Sequence, residues 1–202
     1  KNEILFISTF KPSSKIWSNN PGKKILTHAD FQKNDKYLIK NLSIYAKKNK
    51  IKLNILGRQQ GVNVNLEKKY YKEIINDKFQ FISKDRYPDS YYVMNKFKYV
   101  FTLWSTLGLE NLVKNGRTGF IYNKPKNPAW NGARLGLTEK LELRGPFWTT
   151  TKAEDVREFN RVFDSVVKKD EKFWKIMRKK YRKKLLEYDE GNKTFLKVIK
   201  KN

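Results

Sequence analysis

The sequence contains no cysteine and only one histidine, His28. Without thiols it can form neither a disulfide nor a thiolate-bound metal site, and one imidazole cannot build a histidine metal cluster. No apolar run approaches the roughly 18 residues that a membrane-crossing helix needs, and the first residues lack the charged-then-apolar layout of a secretory signal. Negative charge is also scarce: 45 Lys and Arg stand against 20 Asp and Glu, giving a formal net charge of +25. The expectation from these shortages is a cytoplasmic protein with no metal site built on cysteine or on a histidine cluster. Such an excess of positive charge suits nucleic acid or the anionic face of a membrane. It equally suits a coding bias towards Lys, Asn and Ile that fills ordinary surface positions.

Apolar residues make up 39% of the 202 and aromatic residues 14%, enough for one substantial core although 32% are charged. Nearly continuous apolar runs at 3–9 ("EILFIST"), 51–57, 78–83, 98–104 and 118–122 read as strands buried on both faces. Between them, helices are expected over 30–49 with Asp30 near the N-cap, over 67–76, briefly after "YPDS", and over 107–115 with Gly116 as the stop. Strands alternating with helices at this spacing imply βαβ units, hence a Rossmann-like α/β fold: a parallel sheet of five to six strands with helices on both faces. Residues 123–148, with three prolines and three glycines, read as a long loop. The pattern then stays helical over 153–168, 171–187 and 192–200. The division expected is a nucleotide-binding domain over 1–150 and a C-terminal helical segment over 151–202, packing on that domain or returning to another one.

In an open parallel sheet, ligands bind outside the carboxyl ends of the strands. At one such end the chain reads "STLGLE", residues 105–110. If Ser105 or Thr106 caps the following helix, the N–H groups of Thr106, Leu107 and Gly108 and the positive end of the helix dipole form a phosphate site, with Gly108 allowing close approach. Glu110, one turn beyond Thr106, is placed to accept hydrogen bonds from a ribose diol. Arg58 past the second strand, and Thr9 and Lys11 past the first, converge on the same edge and can face a diphosphate. An ordinary N-cap explains the same six residues. The stretch is not a Walker A loop, and no GxGxxG follows the first strand, so ATPase and nicotinamide-dehydrogenase readings have no support. "RGPFWTTT" closes the long loop; Phe147 and Trp148 read as core anchors and Thr150 or Thr151 as a helix cap.

The order of these pieces, with "STLGLE" (105–110) and "GPFW" (145–148), resembles the C-terminal, donor-binding half of GT-B glycosyltransferases, and more narrowly bacterial surface-carbohydrate (polysaccharide) biosynthesis proteins. "DEKFW" and "DEGN" look like the closing helices of that family. The resemblance implies a nucleotide-sugar donor as substrate, held at the Ser-Thr-x-Gly-x-Glu helix start with Glu110 near the ribose. It also implies metal-independent transfer to a glycan or lipid-linked acceptor, with cations and helix dipoles stabilising the leaving phosphate. GT-B enzymes carry the acceptor site and general base on an N-terminal Rossmann domain. This chain starts at what looks like the donor half, so that domain is expected upstream or on a partner chain, and no catalytic base is assigned, His28 included. The basic surface would hold such an enzyme peripherally against the inner leaflet.

Two alternatives compete. A basic nucleic-acid-binding α/β protein fits the charge, yet no RNP aromatic pair, zinc spacing or GXXG clamp is present. A polyol-phosphate transferase or a sugar-nucleotide epimerase would keep the fold, but an epimerase needs acid/base groups that this half has few of.

Overall fold

The computed structural model describes residues 2–12, 28–86, 89–103, 105–122, 144–150 and 155–185, with side chains from Asp35 onward in the second stretch, to Ile121 in the fourth and to Tyr181 in the last. Strand β1 (Glu3–Ile7) leads to helix α1 (His28–Lys48), β2 (Lys52–Leu56), α2 (Asn63–Ile74) and β3 (Gln80–Ile82). Then follow α3 (Ser90–Met94), β4 (Tyr99–Thr102), α4 (Thr106–Val113) and β5 (Arg117–Tyr122). The chain ends its described course with β6 (Arg144–Gly145), β7 (Trp148–Thr150), α5 (Val156–Val167) and α6 (Glu171–Leu185).

These strands form one seven-stranded sheet in the order β3-β2-β1-β4-β5-β7-β6. Every pairing is parallel except that between β6 and β7. The fold is Rossmann-like α/β, as expected. Strand order reverses between β1 and β4, which lie side by side with Phe6 opposite Phe101.

Period-two alternation explains why both faces of the sheet are covered. Ile4 and Phe6 of β1 enter the larger core, whereas Leu5 and Ile7 enter the smaller one behind it. On the first face α1 lays down Leu38, Ile39, Leu42, Tyr45 and Ala46 at helical spacing. Tyr71 and Ile75 from the α2 region, Phe159, Val162, Phe163 and Val166 of α5, and Trp174 of α6 join them. On the opposite face Val93 and Met94 of α3 and Leu107 of α4 cover Leu5, Ile7, Leu56, Ile82 and Val100. Cross-links tie the later helices down: the Tyr45 hydroxyl donates to Asp164 Oδ1 (2.7 Å), and buried Arg117 donates to the Lys169 carbonyl and to Glu171.

Several local expectations need correction. Helix α1 begins at His28 rather than at Asp30, and α2 begins at Asn63 rather than at residue 67. The stop of α4 is made by Asn115, which takes the left-handed conformation at φ 77°. Gly116 is glycine for another reason: a Cβ there would meet the Asn111 side chain at 2.3 Å, and Asn111 holds Thr118 Oγ1 (2.9 Å). The supposed end of the long loop is the β6–β7 hairpin, whose second strand supplies the sixth parallel member of the sheet. The shortness of β6, two residues long, hides this from the sequence. Thr150 lies in β7, and the cap of α5 is Asp155, which accepts from the Glu158 N–H (3.1 Å). Trp104, residues 123–143, Thr151 and the helix expected over 192–200 lie outside the described residues.

Candidate functional site at the carboxyl edge

Strand order reverses between β1 and β4, and it is in the crevice over the carboxyl ends at such a reversal that open α/β sheets bind ligands. From β4 the chain turns through Ser105, which has extended dihedrals (φ −69°, ψ 132°), into α4. The Ser105 N–H donates to Thr102 Oγ1 (3.2 Å), and that hydroxyl reaches the Ile7 carbonyl of β1 (3.4 Å), so the turn is stitched to its neighbouring strand. The Ser105 hydroxyl makes no capping bond. Thr106 is exposed, with Ser105 and Leu107 half-buried on either side. The N–H groups of Thr106 and Leu107 head the helix, where no intrahelical carbonyl can reach them.

Gly108 departs from its expected role. Its N–H donates to the Ser105 carbonyl (2.9 Å), so it is not available to a phosphate. A Cβ on it would lie 2.7 Å from Thr102 Cγ2 and 3.2 Å from Phe120 and Thr118. The glycine therefore faces the sheet and lets α4 approach β4 and β5. It does not open the backbone to a ligand.

Glu110 is half-buried and reaches α3, where the Tyr91 hydroxyl bonds to it; that bond is the main reason the phenol's pKa is raised. Its Oε2 is buried with no hydrogen-bond partner among the described residues. The Lys114 ammonium sits 4.7 Å from the Tyr91 ring centroid.

Across the crevice, Thr9 and Lys11 follow β1 and Arg58 follows β2. Strand pairing runs on past the strand ends, with the Ser8 N–H on the Leu56 carbonyl (3.0 Å) and the Gly57 N–H on the Ile82 carbonyl (2.9 Å). Thr9, Lys11, Arg58 and the start of α4 are thus on one edge, with β1 between Arg58 and the helix start after β4, whereas Glu110 lies one turn into α4 and reaches α3. Lys11 is half-buried and the Arg58 side chain is exposed. Thr9, by contrast, has its hydroxyl committed, donating to Asp35 Oδ1 (2.9 Å).

That last bond opens onto a buried polar chain the sequence reading missed. Ser8 Oγ is hydrogen-bonded to Glu67 Oε1 and lies 2.8 Å from the Tyr71 hydroxyl, which lies 3.0 Å from Asp35 Oδ2. Glu67 also accepts the backbone N–H groups of Arg58 (2.9 Å) and Gln59 (2.9 Å). Gln59 in turn donates its side-chain amide to the Phe10 carbonyl (2.8 Å). The loops after β1 and β2 are therefore bound to each other through side chains of α1 and α2. Burial pushes the Asp35 carboxyl up to about 6, against bonds from Thr9, Tyr71 and Tyr70 that favour its ionised form. One signal was available: Asp35 falls in the apolar stripe of Phe31, Leu38 and Leu42, and Glu67 is one turn from Tyr71. A carboxylate in a buried stripe marks a paired or functional group.

"GPFW" lies in the architecture rather than at the crevice. Phe147 and Trp148 are buried, as core anchors, and stack with Trp174 and Tyr181. Gly145 is required because a Cβ would fall 2.0 Å from the Trp148 ring. Arg161 clamps the hairpin to α5 through the carbonyls of Gly145 (2.7 Å) and Trp148 (3.1 Å). Although partial burial opposes it, hydrogen bonds from Arg161 and Thr149 hold the Glu158 carboxyl below the usual carboxylate range.

Residues 1–202 match a family model described as "putative O-antigen biosynthesis protein". The chain belongs to that family. Its link is therefore to the biosynthesis of surface polysaccharide. Searches of curated proteins and of solved structures returned no significant match. No helix among the described residues is long and apolar enough to cross a membrane.

Proposed function

We propose that this O-antigen biosynthesis protein binds the nucleotide of a sugar donor in the crevice between β1 and β4, as the donor-binding half of a GT-B glycosyltransferase. The observation that carries the reading is the position of α4: its start, with Thr106 exposed, stands at the point where strand order reverses. Two amides and the helix dipole suit a phosphate there, and Lys11 and Arg58 on the facing loops supply positive charge. The orphaned Oε2 of Glu110 is an acceptor in want of a donor, which a ribose hydroxyl would provide. In transfer, these groups would stabilise the charge that develops on the leaving phosphate. The acceptor, a glycan or a lipid-linked sugar, and the general base would come from a further Rossmann domain or a partner chain.

Thermal-shift and calorimetric titration with CDP, CMP, UDP and GDP check this reading. At least one should raise the melting temperature, and Glu110→Gln should weaken that nucleotide about tenfold, the size of one lost charge-assisted hydrogen bond. Silence from all four, or an unchanged affinity in the variant, would count against it. Nucleic-acid binding, by contrast, would fall steeply with salt and ignore Glu110.

Membrane contact belongs to the same reading. Exposed Tyr91 and Tyr92 stand together on α3, with the Lys96 ammonium 3.8 Å from the Tyr92 ring centroid. Tyrosine and lysine together suit an anionic interface, at about 1 kcal/mol per well-placed cation. The protein should co-sediment with phosphatidylglycerol vesicles at low salt and not with phosphatidylcholine vesicles. A Tyr91→Ser, Tyr92→Ser, Lys96→Gln variant should bind less; equal binding would remove α3 from the interface.

A further inference from the structure

The buried chain has more contacts than protons. Three oxygen–oxygen links run in series: Glu67 to Ser8, Ser8 to Tyr71 and Tyr71 to Asp35. Each needs one hydrogen, and the two hydroxyls supply only two. With both carboxyls ionised, one link would set lone pair against lone pair inside the protein. Other donors do not fill the gap. The Phe10 N–H is on Ser8 Oγ (3.1 Å), the Arg58 and Gln59 N–H groups are on Glu67, and the Thr9 and Tyr70 hydroxyls are on Asp35.

We propose that Asp35 supplies the third proton, so that acid, phenol, serine and carboxylate point one way, from Asp35 through Tyr71 and Ser8 to Glu67, and lock the loops after β1 and β2. Loss of that proton returns the Tyr71 hydrogen to Asp35 and breaks the Tyr71–Ser8 link. The ligand-facing loops then loosen. Calling those loops ligand-facing rests on the nucleotide reading above; the proton chain itself does not.

The surroundings favour the protonated acid. Asp35 is 3% exposed, and Glu67 lies on the α2 face beside it. Of the nearby cations, the Lys36 ammonium stands 5.7 Å from the Tyr70 ring centroid, Lys11 is half-buried in the β1 loop, and Arg58 is exposed. Because the folded-state value lies above the ordinary 3.8, the stabilisation is complete below about pH 4 and is lost as pH rises through about 6.

Carboxyl-carbon NMR titration of the full chain, without ligand, tests the proposal, alongside amide-exchange protection factors for Phe10, Arg58 and Gln59. Asp35 should titrate near pH 6, with protection at those three amides falling severalfold across the same step. Ser8→Ala removes two of the three links, so Asp35 should titrate lower and the step in protection should vanish. Tyr71→Phe should also abolish the step in protection, but with the opposite shift: it removes a donor that favours the ionised carboxyl, so Asp35 should titrate higher. Titration of Asp35 in the ordinary carboxylate range, or an unmoved midpoint in both variants, would overturn the chain. Neither result depends on whether a nucleotide binds.

Discussion

Glu67→Ala should lower the unfolding free energy by about 3–5 kcal/mol, the cost of removing one partner from a fully buried charged network. Glu67 is 0% exposed and accepts from Ser8, Arg58 N–H and Gln59 N–H. Alanine leaves those donors buried with nothing to accept them, and it also leaves a void beneath the β2 loop. Glu67→Gln keeps the shape and one acceptor but turns an amide N–H₂ towards donors, so it should cost less. Urea unfolding followed by tryptophan fluorescence measures both. A loss below about 1 kcal/mol for the alanine variant would mean that the loops are held by something else.

The second large effect concerns "GPFW", one of the two motifs that carry the resemblance to a sugar-transfer family. Phe147→Ala should cost about 3–5 kcal/mol, the usual penalty for emptying an aromatic site in a close-packed core. Phe147 is 0% exposed and packs on Trp148, Trp174 (5.3 Å between centroids) and Tyr181. It joins the β7 hairpin to α6, so its loss separates two elements that no short loop connects. Nucleotide affinity per folded molecule should remain within about twofold of the parent, since the ring lies away from the crevice. Denaturant midpoints and calorimetry on the surviving folded fraction check the two halves. A large affinity loss at unchanged stability would instead place "GPFW" in the ligand site.

Most of the sheet was legible in the sequence because its central parallel strands are buried on both faces and so read as nearly continuous apolar runs. "EILFI" and "KLNIL" need no partner to be recognised. The β6–β7 hairpin was not legible: it is too short for periodicity and lies in a Gly/Pro-rich stretch. At the edge, the sequence located Thr9, Lys11, Arg58 and the "STLGLE" turn, since strand ends are set by the strands. It misjudged Gly108, because a glycine that admits a ligand and one that admits a neighbouring strand look the same until the neighbour is known. Asp35 and Glu67 were passed over for a related reason. A carboxylate on a lysine-rich helix reads as a solvated charge, and the place of Asp35 in an apolar stripe was the one sign against that reading before tertiary contact showed it turned inwards.

The central claim is that the helix start after β4 grips the phosphate of a nucleotide. Backbone amide NMR during titration with the best-binding nucleoside diphosphate tests it most directly. Shifts concentrated at Thr106, Leu107, Thr9 and Lys11, with the Glu110 carboxyl responding to the ribose, are the predicted result. Saturable binding that leaves Thr106 and Leu107 unmoved while shifting residues on another face would contradict it.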